Sequence, residues 1–420
     1  MSTEGMNWAG NLTYGAERVY YPTSIGDLQG LINRSPRVRA LGTRHSFNEI
    51  ADTAGVQISL AALSPDIRID PSSMTASVTG GTPYGVLISG LQEQGFALHN
   101  TGSLPHISVA GATATGTHGS GDGNGILSTA ISAVEFVAAD GSLVTVDRAS
   151  EHLSALAVGL GAFGVITRLF FDIQPSYRVR QDVYRHAPWE TVLERLDDVM
   201  ASAYSVSLLA DFASPTVMQI WLKTRLGDGE IPEVAQTLFG AAWYDDADEI
   251  NPENVNQRAS VPGPWSERMP HFRFEGVPSN GGDELQSEYY VKREDGVQAL
   301  EILRSLGARI APHLLIAEIR SAAADTLWLS PAYEQDILCI GFTWAKHPVE
   351  VAALLTVIED ALEPYEPRPH WGKLFHFGAD VIGPRFPRLD DFKAVRTHYD
   401  PHGKFWNPFL DHTLGEPTAH

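Results

Sequence analysis

The stretch TGSLPHISVAGATATGTHGSGDGNG, residues 101–125, decides how this chain is read. More than half of its 25 residues are Gly, Ser or Thr, so neither a good helix nor a central strand is expected there. A structureless surface loop of that length is uncommon in a compact domain. Free backbone N–H groups and hydroxyls in such a run suit a diphosphate and a flat heterocycle instead. Around it lie short β-rich runs at 38–42, 75–81, 96–100, 133–140 and 165–173, separated by glycine-rich turns. Helices are expected at 23–35, capped by Thr23 or Ser24, and at 83–95. The second has Thr82 as cap, Pro83 in the first turn and Gly95 as its stop. This first region therefore reads as α+β, with long loops on which a cofactor touches backbone.

At about Gln174 and Pro175 the glycine-rich pattern stops. Beyond that point the chain reads as helices at 188–204 and 294–308, with strand-like runs at 206–212, 217–225, 286–293, 313–322 and 338–345. Such strands flanked by helices suggest a sheet covered on one face and open to a ligand on the other. Residues 233–283, rich in Pro, Gly, Asn and Asp, read as a long irregular excursion. Two aromatic motifs in the tail, RPHWGKLF (368–375) and DPHGKFWNPFLD (400–411), imply docking.

A chain of 420 residues with 43% hydrophobic and 19% charged content is not disordered, and it has length for two or three domains. With 51 acidic against 30 basic residues the net charge is −21. That balance argues against a nucleic-acid partner or an anionic membrane surface. The lone Cys339 supplies neither a disulfide within the chain nor a thiolate-rich metal site, and it fits a reducing compartment. No run approaches the ~18 apolar residues of a membrane helix, and the N-terminus lacks a basic segment followed by an apolar run. The expectation is a soluble, acidic, cytoplasmic protein.

Residues 159–164, GLGAFG, match the dinucleotide fingerprint G-x-G-x-x-G in form. That fingerprint needs a strand before it and a helix after it, so that the helix N-terminus faces a pyrophosphate. Here SEHLSALAVG before it reads as helix and VITRLFFDI after it as strand. The glycines are better read as a helix-to-strand turn with close backbone approach.

NWAGN (7–11), GTRHSFN (42–48), SLPHISVAG (103–111), ATGTHGSG (114–121), LGAFGVIT (160–167), VPGPWSERMPHFR (261–273), LQSEY (285–289), EIR (318–320), PHWGK (369–373) and DPHGKFWNPF (400–409) succeed one another along the chain. This ordered set resembles the alditol (xylitol) oxidase group of the vanillyl-alcohol-oxidase-like flavoproteins, related to the sugar-lactone oxidases, over nearly the whole length. The resemblance implies an α+β, two-domain flavin oxidase. An FAD-binding domain would span 1–176, a substrate-binding cap domain 177–366, and a segment returning to the flavin 367–420.

The resemblance further implies that His45 carries FAD covalently through the 8α carbon, chemistry that suits an imidazole nucleophile. The other reading of His45 is a loop histidine bonded to a phosphate. Cys339 stands outside both glycine-rich segments, so one covalent link is expected. Ala40, Leu41, Gly42, Thr43, Arg44 and Ser46, with Ser108, Gly111, Thr113, Thr115, Gly116, Thr117, His118 and Gly119, would cradle the pyrophosphate and ribityl chain. Gly164 and Ile166 would stand near the adenosine, and Ser103 and His370 by the flavin. His118 would line the cofactor site rather than bind metal, since no second ligand stands at suitable spacing beside it; no metal is expected.

In HLLIAEIRSA, Glu318 and Arg320 are two apart and share a strand face. An acceptor beside a forked donor suits successive hydroxyls of a polyol, or else a solvated ion pair. In LCIGFTWA the same alternation groups Cys339, Gly341 and Thr343. By the resemblance, Ser103, Glu318, Arg320, Thr343 and Lys373 contact substrate, and Glu318, Arg320 and Lys373 are catalytic. Lys373 either stabilises the reduced flavin, orients the substrate hydroxyl or helps deprotonate it. Gly341 stands where the resemblance leads one to expect a histidine. Gly102 occupies a position that relatives use as an oxygen gate, where a small residue suits an oxidase. The activity implied is oxidation of an alditol's terminal alcohol, with hydride passing to FAD and oxygen reduced to peroxide; the alternative is an aldonolactone oxidase or dehydrogenase. Partners expected are a polyol and oxygen, with no nucleic acid or membrane, on a monomer.

Overall fold

The computed structural model describes residues 5–227, 229, 231–245 and 253–415. The N-terminal region is built on two small sheets. In one, Arg18–Tyr20, Val56–Ile58 and Val38–Ala40 run parallel in that spatial order. The other is antiparallel, ordered Arg68–Asp70, Thr75–Thr79, Val165–Asp172, Ile131–Val137 and Leu143–Asp147. The helix Ile25–Arg34 starts on Ser24, whose hydroxyl accepts from the Asp27 N–H. Its Leu28, Leu31 and Ile32 pack with Val38 and Ile58 in one apolar cluster.

Three expectations for this region are corrected. The second helix, Tyr84–Glu93, is not capped by Thr82. Its leading N–H groups go to the glycine-rich segment: Tyr84 donates to Ile107 O (2.9 Å) and Gly85 to Pro105 O (2.7 Å). Tertiary carbonyls thus replace a side-chain cap. Within 101–125, Val109–Ala114 does form a short helix. Alanine-rich VAGATA tolerates the helix, and the Thr113 hydroxyl turns back onto Val109 O at 2.8 Å. The strand expected at 96–100 shrinks to Phe96–Ala97, paired with Gln174–Pro175.

GLGAFG lies between the helix His152–Leu156 and the strand Val165–Asp172, the reverse of the dinucleotide order. Gly164 has φ of 155°, and a Cβ there would stand 2.3 Å from Val137 O. Only glycine fits this close approach.

After Arg178 the sheet changes. Among the described residues ten strands form one antiparallel sheet. Its main path runs Thr237–Leu238, Ala241–Tyr244, Arg178–Pro188, Thr216–Leu226, Ser205–Ala210, Leu314–Ala322, Ile337–Trp344, Leu285–Lys292, Arg368–Pro369, and Gly263–Pro264 pairs with Arg178–Pro188 off that path. Ile340, Phe342 and Trp344 join the apolar core with residues of the helices Gly296–Ser305 and Pro348–Leu362. The opposite phase is left for a ligand. Arg178–Pro188, whose sequence RVRQDVYRHAP is too polar to read as a strand, lies between two neighbours. It hides its charges by pairing Arg180 with Asp182 at 2.8 Å.

The expected helix at 188–204 is broken at Arg195 into Trp189–Glu194 and Leu196–Met200. That at 294–308 divides into Gly296–Ser305 and Gly307–Ile310. The excursion at 233–283 contains Ala241–Tyr244 and the helix Trp265–Arg268, while 246–252 lie outside the described residues.

The tail docks through buried polar anchors. Arg39 donates to the carbonyls of Ile50, Leu160, Gly161 and Phe405. Asn48 donates to Trp371 O (2.9 Å) and Lys373 O (2.7 Å), joining the loop of His45 to the segment of Lys373. Among the described residues no helix is long and apolar enough to cross a membrane.

Candidate active site

A cavity of about 610 Å³ lies between the N-terminal region and the large sheet. From the N-terminal side it is lined by Ala40, Leu41, Gly42, Thr43, Arg44, His45, Ser46, Ser103, Ser108, Gly111, Thr115, Thr117, His118, Gly164 and Ile166. From the large sheet come Glu288, Glu318, Arg320, Gly341 and Thr343, and from the tail His370 and Lys373. Residues from 40 to 373 thus meet around one space.

Four expected residues stand off this cavity. Thr113 is fully buried with its hydroxyl spent on its own helix. Gly116 packs against Pro331 and Trp371, and Gly119 against Asn100. Gly102 sits behind Thr117 and Ile107; a Cβ there would meet the Thr117 methyl at 3.4 Å, an ordinary contact.

Arg44 takes a left-handed conformation, φ 65°, uncommon for a non-glycine residue. Its carbonyl is held by the Trp8 N–H at 2.8 Å, and the Trp8 ring stacks on His45 with centroids 5.0 Å apart. His45 Nδ1 lies 3.1 Å from the Thr43 hydroxyl, while Nε2 is buried with no hydrogen-bond partner among the described residues. Burial, with His106 adding to it, lowers the imidazole to about 4, so at neutral pH the ring is an uncharged nucleophile. Beside it the wall is thinned to backbone. A Cβ on Gly42 would come 2.6 Å from Ser108 Oγ, and one on Gly80 would come 2.3 Å from Ile166 O. An orphaned neutral imidazole beside a glycine-thinned cleft fits an extended flavin dinucleotide.

The contribution of the large sheet comes from register. Glu288, Gly341 and Glu318 lie in one row across three adjacent strands, and Gln286, Thr343 and Ile316 in the next. Glu288 is 1% exposed and central: it pairs with Lys373 Nζ at 2.8 Å, Arg320 Nη2 at 3.2 Å and His118 Nε2 at 3.1 Å. Burial alone would raise this carboxyl, but Lys373, His118 and Arg320 together hold it well below its ordinary value. Glu318 Oε1 stands 3.8 Å from Arg320 Nε and 3.6 Å from His271 Nδ1, too far for good hydrogen bonds, which leaves acceptor capacity facing the cavity. Arg320 Nη1 reaches Ser103 Oγ at 3.3 Å. His370, lowered to about 3 by burial and Lys373, is neutral and accepts from the Gly372 N–H at 3.0 Å, fixing the turn before Lys373. Gly341 keeps the floor open, since a Cβ would stand 3.2 Å from Glu288 Oε1.

Sequence reasoning gave Glu288 no role. The available signal was a single carboxylate inside the apolar strand LQSEYYVK, because a buried charge requires partners. Gln286, Trp221 and His271 also line the cavity, and no sequence pattern singled them out.

Fold and site define an FAD-dependent oxidoreductase. A family model described as an FAD binding domain matches residues 16–147, which contain His45 and the glycine-rich segment. One described as D-arabinono-1,4-lactone oxidase matches 284–413, which contain Glu288, Glu318, Arg320, Thr343 and Lys373. The alditol oxidase of a Streptomyces species is 41% identical over 415 residues, covering 98% of this chain and 99% of that protein. The chain therefore belongs to the alditol oxidase and sugar-lactone oxidase family of vanillyl-alcohol-oxidase-like flavoproteins. The L-gulono-1,4-lactone dehydrogenase of Mycobacterium tuberculosis is 28% identical over 99% of this chain and 100% of its own. A solved solvent-stable cholesterol oxidase shares the fold, with TM-score 0.79, 16% identity and coverage of 98% of this chain and 97% of that one.

Proposed function

We propose that this protein oxidises the terminal primary alcohol of an alditol such as xylitol or sorbitol to the aldose, using FAD held covalently by His45. The observation that carries the reading is the convergence on one cavity of His45 with the Ser103, Glu318, Arg320, Thr343 and Lys373 side chains. Bound FAD supplies the two-electron hydride acceptor, and molecular oxygen takes the electrons on to hydrogen peroxide. Arg320 donates to substrate hydroxyls, Ser103 and Glu318 accept from them, and Thr343 fixes the chain further along. Lys373, anchored by Glu288, holds positive charge beside the reacting oxygen and stabilises negative charge as it develops. Lys373 or a bound water assists departure of the hydroxyl proton. Residues 1–176 act as the FAD domain, 177–366 as the cap and 367–420 as the segment completing the site, in a monomeric cytoplasmic enzyme.

An aldonolactone substrate is the second reading, favoured by the lactone-oxidase family match over 284–413. Oxygen uptake and peroxide formation over a panel of xylitol, sorbitol and aldonolactones test the choice. The alditol reading expects the alditols to give the higher kcat/KM; turnover confined to the lactones overturns it.

A further inference from the structure

We propose that Lys223 is an internal proton-holding site, set behind the substrate cavity, that takes the proton leaving the substrate hydroxyl and returns it when oxygen is reduced. The proposal rests on the alditol-oxidation reading above. Behind Ser103 lies a second, small cavity of about 10 Å³, bounded in part by Thr101, Ser103, Ser205, Lys223, His271 and Arg320. That is room for about one water, on walls with several polar partners to hold it. Ser103, His271 and Arg320 line both cavities, so they form the partition between them. Thr101 Oγ1, buried on the same wall, has no hydrogen-bond partner among the described residues.

Lys223 sits on the strand Thr216–Leu226, directly opposite Ser205 on the neighbouring strand, and is buried. Its Nζ donates to the Met269 carbonyl. An ammonium carries three donors, and one carbonyl leaves two of them without protein acceptors among the described residues, a costly arrangement for a buried charged group. The neutral amine avoids that cost. Burial pushes Lys223 well below its ordinary range, Glu318 draws it back up, and Arg258 and Arg320 push it down again. His271, also held well below its ordinary value chiefly by burial, is neutral and does not compete for the proton.

The reaction supplies a proton for such a group. As the terminal carbon becomes a carbonyl, its C–H bond yields a hydride and its O–H bond yields one proton. Ser103 Oγ accepts that proton as it gives its own to the cavity water. The water passes a proton to the Lys223 amine, and the resulting ammonium is compensated by Glu318. Reduction of molecular oxygen to hydrogen peroxide then consumes two electrons and two protons. One of these protons is the hydrogen that left the substrate carbon with the hydride, and the other comes from Lys223, which returns to the amine.

The test mixes holoprotein anaerobically with xylitol in weak buffer at about pH 8 with an indicator dye, counting protons per flavin bleached. Wild type should bleach with essentially no proton reaching solution, and Lys223→Met should release about one per flavin. One proton per flavin from wild type, or the same count in both proteins, overturns the proposal. A second measurement needs no substrate. An amine neutral in the folded chain and charged in the unfolded one makes wild-type stability rise with pH up to about pH 10, because only the unfolded chain binds that proton. Lys223→Met should lack that rise; parallel curves would show a charged native Lys223 and also overturn the proposal. Lys223→Gln repeats both measurements should the Met variant misfold. If xylitol leaves the flavin unbleached, the alditol reading fails, while the stability curves still judge Lys223.

Discussion

At His45, burial lowers the imidazole to about 4, so at neutral pH the ring keeps a lone pair for bond formation while Trp8 and Thr43 hold it in place. His45→Ala should therefore leave flavin bound but not attached. After acid precipitation the yellow colour should move from the pellet to the supernatant, and a pellet that stays yellow would place the bond elsewhere. Glu288 works by a different physics. Its carboxylate, buried among Lys373, Arg320 and His118, fixes two cations that would otherwise repel each other and drift. Breaking a buried pair costs about 3 kcal/mol, and if that loss falls on the positioned cations, kcat/KM for alditols drops on the order of 10²-fold in Glu288→Gln. Steady-state kinetics check it, with flavin absorbance confirming normal loading; an unchanged kcat/KM would make Glu288 a bystander.

Among the elements, the strands Leu285–Lys292, Ile337–Trp344 and Leu314–Ala322 carry the chemistry, and their alternation sets which side chains meet. Gly341 lies between Glu288 and Glu318 in one row. Gly341→Ala would put a methyl group 3.2 Å from Glu288 Oε1 and 3.4 Å from Glu318 O. The carboxylate must yield by a few tenths of an ångström, so a roughly tenfold fall in kcat/KM is expected with normal flavin content, since small misplacements at a reacting centre cost this much. Strand phase made Glu318, Arg320 and Thr343 legible in the sequence, and glycine density did the same for 101–125. Arg178–Pro188 was not legible, because a strand that buries Arg180 beside Asp182 loses the apolar alternation by which strands are recognised. The convergence on Glu288 was hidden for a related reason: its partners stand at 118, 320 and 373, and only the folded chain brings them together.

For the molecule as a whole, the tail must return to the first sheet for Lys373 to reach the cavity. Arg39 ties that return, since its guanidinium serves carbonyls at Ile50, Leu160, Gly161 and Phe405. Arg39→Met leaves these buried acceptors unpaired and should cost about 3 kcal/mol or more in denaturant unfolding; stability equal to wild type would show that the tail docks without it. The loop that follows the parallel sheet, with His45, and the antiparallel sheet that carries Glu318 and Arg320 thus wall a single cavity. The claim that this cavity holds flavin and alditol together is met most directly by adding xylitol anaerobically to the yellow holoprotein and to Arg320→Ala. Wild type should lose its flavin absorbance promptly and Arg320→Ala far more slowly. A wild type that remains yellow, or a variant that bleaches equally fast, would contradict the account.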